Sequence, residues 1–338
     1  MRAALDAQLT VGTATGIGEY VRGLAGALRA RGLDVVELRE AGLDPWRFDR
    51  RVFWDQVLLP RRARASGAQL LHCASGTMPA ASALPIVVTV HDLAWHEAQS
   101  HAPLYARLYF GRFSLRQYRR ARKVFVDSDF SRRRLLALCD LDPARVEVLY
   151  PGVADDFSTV RRQSDGRTIL AVGTVEPRKN LEVLVRALSK LQAARVIAVG
   201  PHTPYAGECA ALAQRLGVAQ RLEMPGYVSR EQLLALYGSC AAAAVPSLYE
   251  GFGYAAAQAL CAGVPCVVSD RSSLPEIAGS DARVVAAQDP GAWADALTSA
   301  LNSRDEPTTE LARARCIARF SWADGALTAQ RAYESIDG

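Results

Sequence analysis

The sequence predicts an α/β protein built as two parallel-sheet domains, and three observations predict it. The first is size: 338 residues, half of them hydrophobic and 22% charged, fit two globular cores better than one and include no low-complexity stretch. The second is a strand–glycine loop–helix–strand unit in the second half. Residues 240–245 are an apolar strand, Glu250-Gly251-Phe252-Gly253 a loop, and the alanine-rich run to Cys261 a helix stopped by Gly263 and Pro265. Residues 265–268 are a second strand, which completes a βαβ unit. The third is that the chain opens in the same order, strand, glycine loop, amphipathic helix, strand.

Composition narrows the class further. The net charge of +5 permits an acidic partner without naming one. The seven cysteines lie far apart, with no CxxC and no Cys/His ligand cluster. Cys73, Cys240 and Cys266 sit within apolar runs and read as small buried hydrophobes in a reducing compartment. Neither a signal peptide nor an apolar run of membrane-spanning length is evident, so the expected location is cytoplasmic.

Taken in order, residues 2–5 form the first strand. The loop 8–18, with Gly12, Gly16 and Gly18, turns into a helix whose Ile17, Val21, Leu24 and Leu28 share one face, and 34–38 is the second strand. Residues 51–64 read as a helix interrupted by Pro60, and 69–73 and 85–91 as strands. The latter ends in His91-Asp92, a polar pair just past the carboxyl end of a parallel strand, where open α/β sheets bind ligands. His91 is therefore a candidate site residue, whereas His72 reads as structural.

Residues 98–126 contain no acid. Arg107, Arg112, Arg116, Arg119, Arg120, Arg122 and Lys123 alternate there with Tyr105, Tyr109, Phe110, Phe113 and Tyr118. The stretch is a solvated basic face, and 104–123 also suits anionic lipid headgroups or an acidic acceptor. No nucleic-acid-binding motif accompanies it, so nucleic acid is not expected as a partner. Residues 124–127 are a strand, SDFSRRRL from Ser128 starts a helix, and 145–149 is the last strand of this half.

Tyr150-Pro151-Gly152 closes the first domain, placed at 1–153, and the polar stretch 155–166 reads as a linker. A second domain, 154–319, opens with the strand 168–172. In GTVEPRKNLEVLVRAL, from Gly173, Asn180 is the predicted N-cap of a helix with Leu181, Leu184, Val185 and Leu188 on its apolar face. Arg178 and Lys179 stand just before it, two cations at a helix start that suit a multiply charged anion. Further strands are expected at 195–199 and 221–224. Pro225-Gly226-Tyr227-Val228 then leads into a helix with the capping box Ser229-x-x-Gln232. Asp289-Pro290 starts another helix, and 320–338 contains the last one.

The βαβ unit carries the chemistry. The loop Gly251-Phe252-Gly253-Tyr254, with its two glycines, brings free backbone N–H groups to a helix N-terminus, which suits a phosphate. Glu250 stands on one side of that helix end, and Gln258 lies about two turns into the helix.

These motifs, in this order, resemble the retaining glycosyltransferases of family 4, which have the GT-B architecture: two Rossmann-like domains with parallel sheets facing across a cleft. SLYEGFG from Ser247, the later Gly263-Val264-Pro265, EPRKN from Glu176, YPGV from Tyr150 and SSLPEIAGSDA from Ser272 carry the resemblance, which extends over nearly the whole chain. Two positions depart: Ala255 replaces the usual Pro, and Gln258 replaces the second Glu of the family's spaced pair. TATGIGEYV has Thr15-Gly16 where the family often has two adjacent glycines.

The resemblance implies roles. The second domain would bind a nucleotide-sugar donor and the first an acceptor, with the 320–338 helix crossing back to the first domain. His91, facing the donor sugar, and Glu250 would be catalytic. Gly16, Arg178, Lys179, Gly251, Phe252, Gly253 and Tyr254 would hold the donor diphosphate, Gln258 the ribose, and Tyr227 and Val228 the nucleobase. No metal or other cofactor is expected, because no Asp-x-Asp motif appears and Arg178, Lys179 and the helix end can neutralise the leaving diphosphate. The reaction would be hexosyl transfer to a hydroxyl of a glycan or lipid-linked acceptor with retention of configuration. In the family proposal attack is on the front face, and a donor phosphate oxygen takes the acceptor proton. EPRKN and HDL resemble the mannosyltransferase-like members, which favours GDP-mannose over a UDP-sugar. A place on the inner face of the membrane would follow if 104–123 docks there. Two other readings remain: a nucleotide-sugar epimerase on the same fold, and a non-catalytic nucleotide-sugar-binding subunit, suggested by Gln258 and Ala255.

Overall fold

The computed structural model describes residues 1–12, 16–96, 104–303 and 307–337. Thr13 to Thr15 of the first glycine loop and the 98–103 start of the acid-free run lie outside the described residues. The chain divides into two units, Met1–Gly152 with Ser321–Gly338, and Val153–Phe320.

The first unit holds a six-stranded parallel sheet in the order β2-β1-β3-β4-β5-β6. Its strands are β1 (Arg2–Asp6), β2 (Asp34–Leu38), β3 (Leu70–Cys73), β4 (Ile86–Val90), β5 (Lys123–Val126) and β6 (Val146–Val148). Every residue of β3 and β4 is buried, as central strands covered on both faces must be, which is why they read as unbroken apolar runs. Helix Gly16–Ala30 buries Tyr20, Val21, Leu24 and Leu28 along one stripe. Ala326, Ala329, Ala332 and Tyr333 of helix Trp322–Asp337 join the same core. That approach is close: a Cβ on Gly23 would lie 2.1 Å from the Trp322 ring, and one on Gly152 would lie 2.4 Å from it.

The second unit repeats the plan with β7 (Thr168–Val172), β8 (Arg195–Val199), β9 (Leu222–Gly226), β10 (Ala242–Val245), β11 (Cys266–Ser269) and β12 (Arg283–Val285). Their order is β12-β11-β10-β7-β8-β9, all parallel. In each sheet the chain starts in the interior, builds one way, then returns to build the other. The reversal falls between β1 and β3 in the first sheet and between β7 and β10 in the second. Crevices at the carboxyl ends of such pairs are where open α/β sheets take ligands.

Three expectations need correction. Pro60 does not interrupt the helix, which runs from Phe48 to Ala65. Residues Trp54–Leu58 widen into a π-helical turn just before the proline, relieving its missing N–H and ring clash. The stretch 155–166 is not a free linker. It contains the short helix Asp155–Ser158, buries Phe157 completely, pairs Asp156 with Arg230 at 2.8 Å, and ties Arg162 to the Cys240 carbonyl at 2.8 Å. Finally, Asn180 does not cap its helix: it is left-handed, with φ 54°, and its side chain makes no capping bond.

Other features follow the sequence. Ser229 and Gln232 form the capping box, and Asp289 caps its helix by accepting from the Gly291 and Ala292 amides at 2.8 and 3.1 Å. All seven cysteines are buried thiols, and two distant in sequence meet, Cys261 and Cys316, with sulfurs 2.9 Å apart. Among the described residues, no helix is long and apolar enough to cross a membrane.

Candidate active site

The reversal point of the second sheet gathers the charged residues. After β7 the chain makes a single 3-10 turn, Pro177–Lys179, which presents Arg178 and Lys179. After β10 it runs through Pro246 to Gly253. The Leu248 amide donates to the Arg178 carbonyl at 2.8 Å, so the two loops share one backbone bond. Asn180 clamps them further: its left-handed backbone turns the chain, and its amide donates to the Pro246 and Ala287 carbonyls at 3.1 and 2.8 Å.

Glu250 sits at the centre, 8% exposed. Its Oε1 accepts from Lys179 Nζ at 2.6 Å and Ser247 Oγ at 2.7 Å, and its Oε2 lies 3.4 Å from the Arg178 guanidinium. Arg178 also donates to the Tyr249 carbonyl at 2.8 Å and to Glu176 at 2.7 Å. Burial alone would raise the Glu250 carboxyl, but Lys179 and then Arg178 outweigh it and hold the group below the usual carboxylate range. The cluster thus places two cations around buried Glu250, with Glu176 on the outer side of Arg178. A recess of about 330 Å³, counting the space open to solvent, adjoins Lys179, lined also by Gly173, Thr174, Val245 and Ser247. Gly173 has φ 139°, and a Cβ there would come within 3.2 Å of the lysine stem.

The glycine loop enters helix Tyr254–Cys261 through Gly253, at φ 105°. A Cβ there would lie 2.8 Å from Leu274, so the close approach as well as the conformation calls for glycine. Phe252 is 4% exposed, its ring edge-on to Tyr254 and Phe320, which leaves its backbone rather than its ring for an anion. Gln258 is 5% exposed, and its Oε1 accepts from Tyr237 at 3.4 Å. Exposed Tyr227 and half-buried Val228 follow β9, at the sheet edge, with β8 between them and β7.

Gly16 and His91 belong to the first unit. Gly16 starts its helix and is exposed. His91 follows β4 and is held at both ring nitrogens, Nδ1 by Asp127 Oδ2 at 2.7 Å and Nε2 by the Ala74 carbonyl at 2.9 Å. Tyr20 packs edge-on to the ring, centroids 4.7 Å apart. His72 is a core residue, as expected. It is bonded to Tyr333 at 2.6 Å and Thr89 at 2.8 Å, and burial drives its pKa down to about 3, so it is neutral.

Sequence reasoning missed several of these groups. Asp127 and Ser247 were not singled out, nor was a buried ionic cluster at the β1/β3 reversal. There Arg51, 3% exposed, pairs with Asp55 at 3.0 Å and reaches Asp6, while Thr77, Trp54 and Tyr109 add hydrogen bonds. Asp6 ends its strand and Asp127 directly follows one, so the strand-exit argument applied to His91 would have found both. Among the described residues no group of His, Cys, Asp and Glu is arranged to hold a metal.

Comparison with known proteins gives the lineage. Residues 154–317 match the family model for glycosyl transferases group 1, and residues 14–157 the model for glycosyltransferase family 4. A D-inositol 3-phosphate glycosyltransferase of Mycolicibacterium smegmatis is 32% identical over 219 residues, 60% of this chain and 50% of that protein. The chain thus spans about half the length of the curated relatives it matches. Sucrose-phosphate synthase of Thermosynechococcus elongatus superposes with a TM-score of 0.76 at 22% identity, over 99% of this chain and 98% of that one. HepE of Anabaena, solved in complex with UDP-glucose, gives 0.74 at 16% identity, over 99% and 100%. Those likenesses establish the fold as GT-B, and the two family models, which together account for residues 14–317, place the chain in glycosyltransferase family 4.

Proposed function

We propose that the protein moves a hexosyl group from a nucleoside-diphosphate sugar to a hydroxyl of a glycan or lipid-linked acceptor, with retention of configuration. The observation that carries this is the pair Arg178 and Lys179 gathered around buried Glu250 at the β7/β10 reversal, beside a glycine loop that opens a helix. Two cations and a helix N-terminus neutralise the charge that grows on a departing diphosphate. Glu250 is the acidic group that contacts both cations, so it lies in reach of whatever they hold. In this reading Gly251 to Tyr254 complete the diphosphate site, Gln258 meets the ribose, Tyr227 and Val228 meet the base, and Gly16 and His91 act from the first unit. No metal or other cofactor enters the reading.

EPRKN and HDL favour GDP-mannose as donor, and the UDP-glucose bound by HepE makes a UDP-sugar the other donor to test. The curated relatives are named for D-inositol 3-phosphate, which suggests including a phosphorylated polyol among the acceptors tested. Incubation with GDP-mannose and UDP-glucose, with and without candidate acceptors, tests the reading. Acceptor-dependent release of the nucleoside diphosphate supports it. Epimerised sugar without acceptor would establish the epimerase reading instead, and tight donor binding with no turnover the non-catalytic one. The 104–123 stretch is read as a membrane-facing surface, since Leu104, Tyr105 and Leu108 are exposed beside Arg107 and Arg112. Salt-sensitive sedimentation with anionic but not neutral vesicles is the expected result, and equal pelleting with both would remove the membrane from the reading.

A further inference from the structure

Three consecutive strand exits of the first unit meet in one hydrogen-bonded group. β3 delivers the Ala74 carbonyl, β4 delivers His91 and β5 delivers Asp127, which is 3% exposed. The arrangement fixes where protons sit. A carbonyl oxygen only accepts, so Nε2 of His91 carries a hydrogen. Nδ1 lies 2.7 Å from Asp127 Oδ2, and a bare ring lone pair facing a carboxylate would repel it. A second proton therefore lies between them. Either the ring is imidazolium against a carboxylate, or a neutral ring accepts from a carboxylic acid. Both forms are uncharged overall, and both hold one proton more than a neutral histidine beside a carboxylate.

We propose that Asp127 is the positioning residue of His91, locking the ring between β3 and β5 and making the two side chains a single uncharged pair that shares an extra proton. This rests on the reading of His91 as a sugar-facing residue. The surroundings favour retention of the proton. Burial would lower the histidine, but Asp127 outweighs it and raises it, while burial raises the Asp127 carboxyl. The other titratable groups facing the pair are Asp92 beside His91, Tyr20 edge-on from its helix with its hydroxyl kept neutral by burial, and neutral His72 on β3. A histidine held at both nitrogens is not a general base. It offers a ligand a fixed ring edge, and a proton lost by an acceptor hydroxyl must go elsewhere.

Imidazole-resolved NMR of the full chain, titrated from about pH 5.5 to about 9, tests the pair without requiring turnover, with the His91 signal assigned from its loss in His91→Gln. A free histidine deprotonates near pH ~6.5. The expected result is that the wild-type pair keeps its shared proton to higher pH than a free histidine would, with Nε2 always protonated. Asp127→Asn conserves shape and can donate its amide to Nδ1, so it is expected to show a neutral ring over the same range. Its kcat is expected to fall about tenfold, with donor KM changed less than threefold. An ordinary or lowered titration in the wild type overturns the proposal, as does an Asp127→Asn ring that titrates like the wild type. Wild-type turnover in Asp127→Asn with the expected spectra would reduce the pair to a structural one. Should no variant, wild type included, transfer sugar, the proposed function fails, and the spectra still decide the pair.

Discussion

Replacing Glu250 by Gln is expected to tighten binding of a bare nucleoside diphosphate while slowing transfer. The carboxylate already lies 2.6 Å from Lys179 and 3.4 Å from Arg178, so a diphosphate reaching those cations meets a negative charge in place. Two like charges about 8 Å apart repel by about 2 kcal/mol at an effective dielectric of ~20. Lys179 and Arg178 side chains are 22% and 31% exposed, so solvent and salt screen part of this. The remaining gain is about 1 kcal/mol, roughly a fivefold drop in Kd. Glutamine keeps the shape and an oxygen for Ser247. Calorimetric titration of UDP and GDP at two salt concentrations, with circular dichroism as a check on folding, measures it. The effect should shrink as salt rises. A folded Glu250→Gln variant that binds either nucleotide no better than wild type would refute the idea that Glu250 competes with the ligand for these cations.

Other outcomes follow from the same structure. Because Glu250 has a lowered pKa, its stabilising contribution is present above the ordinary carboxyl value near ~4.3 and is lost as pH falls through the lowered one. Glu250→Gln should therefore flatten the acid limb of the melting temperature against pH, and an unaltered limb would count against the ion pair. Gly23→Ala should destabilise by about 1–3 kcal/mol, because its Cβ would meet the Trp322 ring. Gly26→Ala on the same helix meets nothing within 4 Å and should stabilise by about 1 kcal/mol, so denaturant titrations giving equal effects would refute the packing argument. Gln258→Ala should weaken nucleotide binding by about 0.5–1.5 kcal/mol while Gln258→Glu is tolerated, and unchanged affinity in the alanine variant would remove Gln258 from the ribose.

Much of the fold was legible because parallel strands covered on both faces leave unbroken apolar runs, such as β3, β4 and β10. β12 left none: it is three residues at a sheet edge, with Arg283 and Val284 exposed. Asn180 stood at the right place for a cap, but its side chain serves two carbonyls from distant loops, which spacing along the chain does not reveal. Pro60 misled because the helix absorbs it by widening a turn. In the site, Arg178, Lys179 and Glu250 were legible as neighbours of turns and helix starts. Their mutual pairing was not, since it joins residues about seventy positions apart. Arg51 and Asp55 stand four apart on one helix and look like a solvated surface pair; their burial and their tie to Asp6 were illegible, because the sheet brings Asp6 to them from a distant segment.

The first unit is completed by a segment synthesised after the whole of the second. Until helix Trp322–Asp337 emerges from the ribosome, the stripe of Tyr20, Leu24 and Leu28 lacks its cover of Ala326, Ala329 and Tyr333. The second unit, Val153–Phe320, is contiguous and has no such wait. The order of translation and the order of folding therefore diverge: the half made first finishes last, and in the interval it presents an apolar stripe to the cell's chaperones. Released chains truncated after Phe320 should show a protease-resistant second unit beside a susceptible first one, and equal resistance of both would mean that the first unit closes without its final helix.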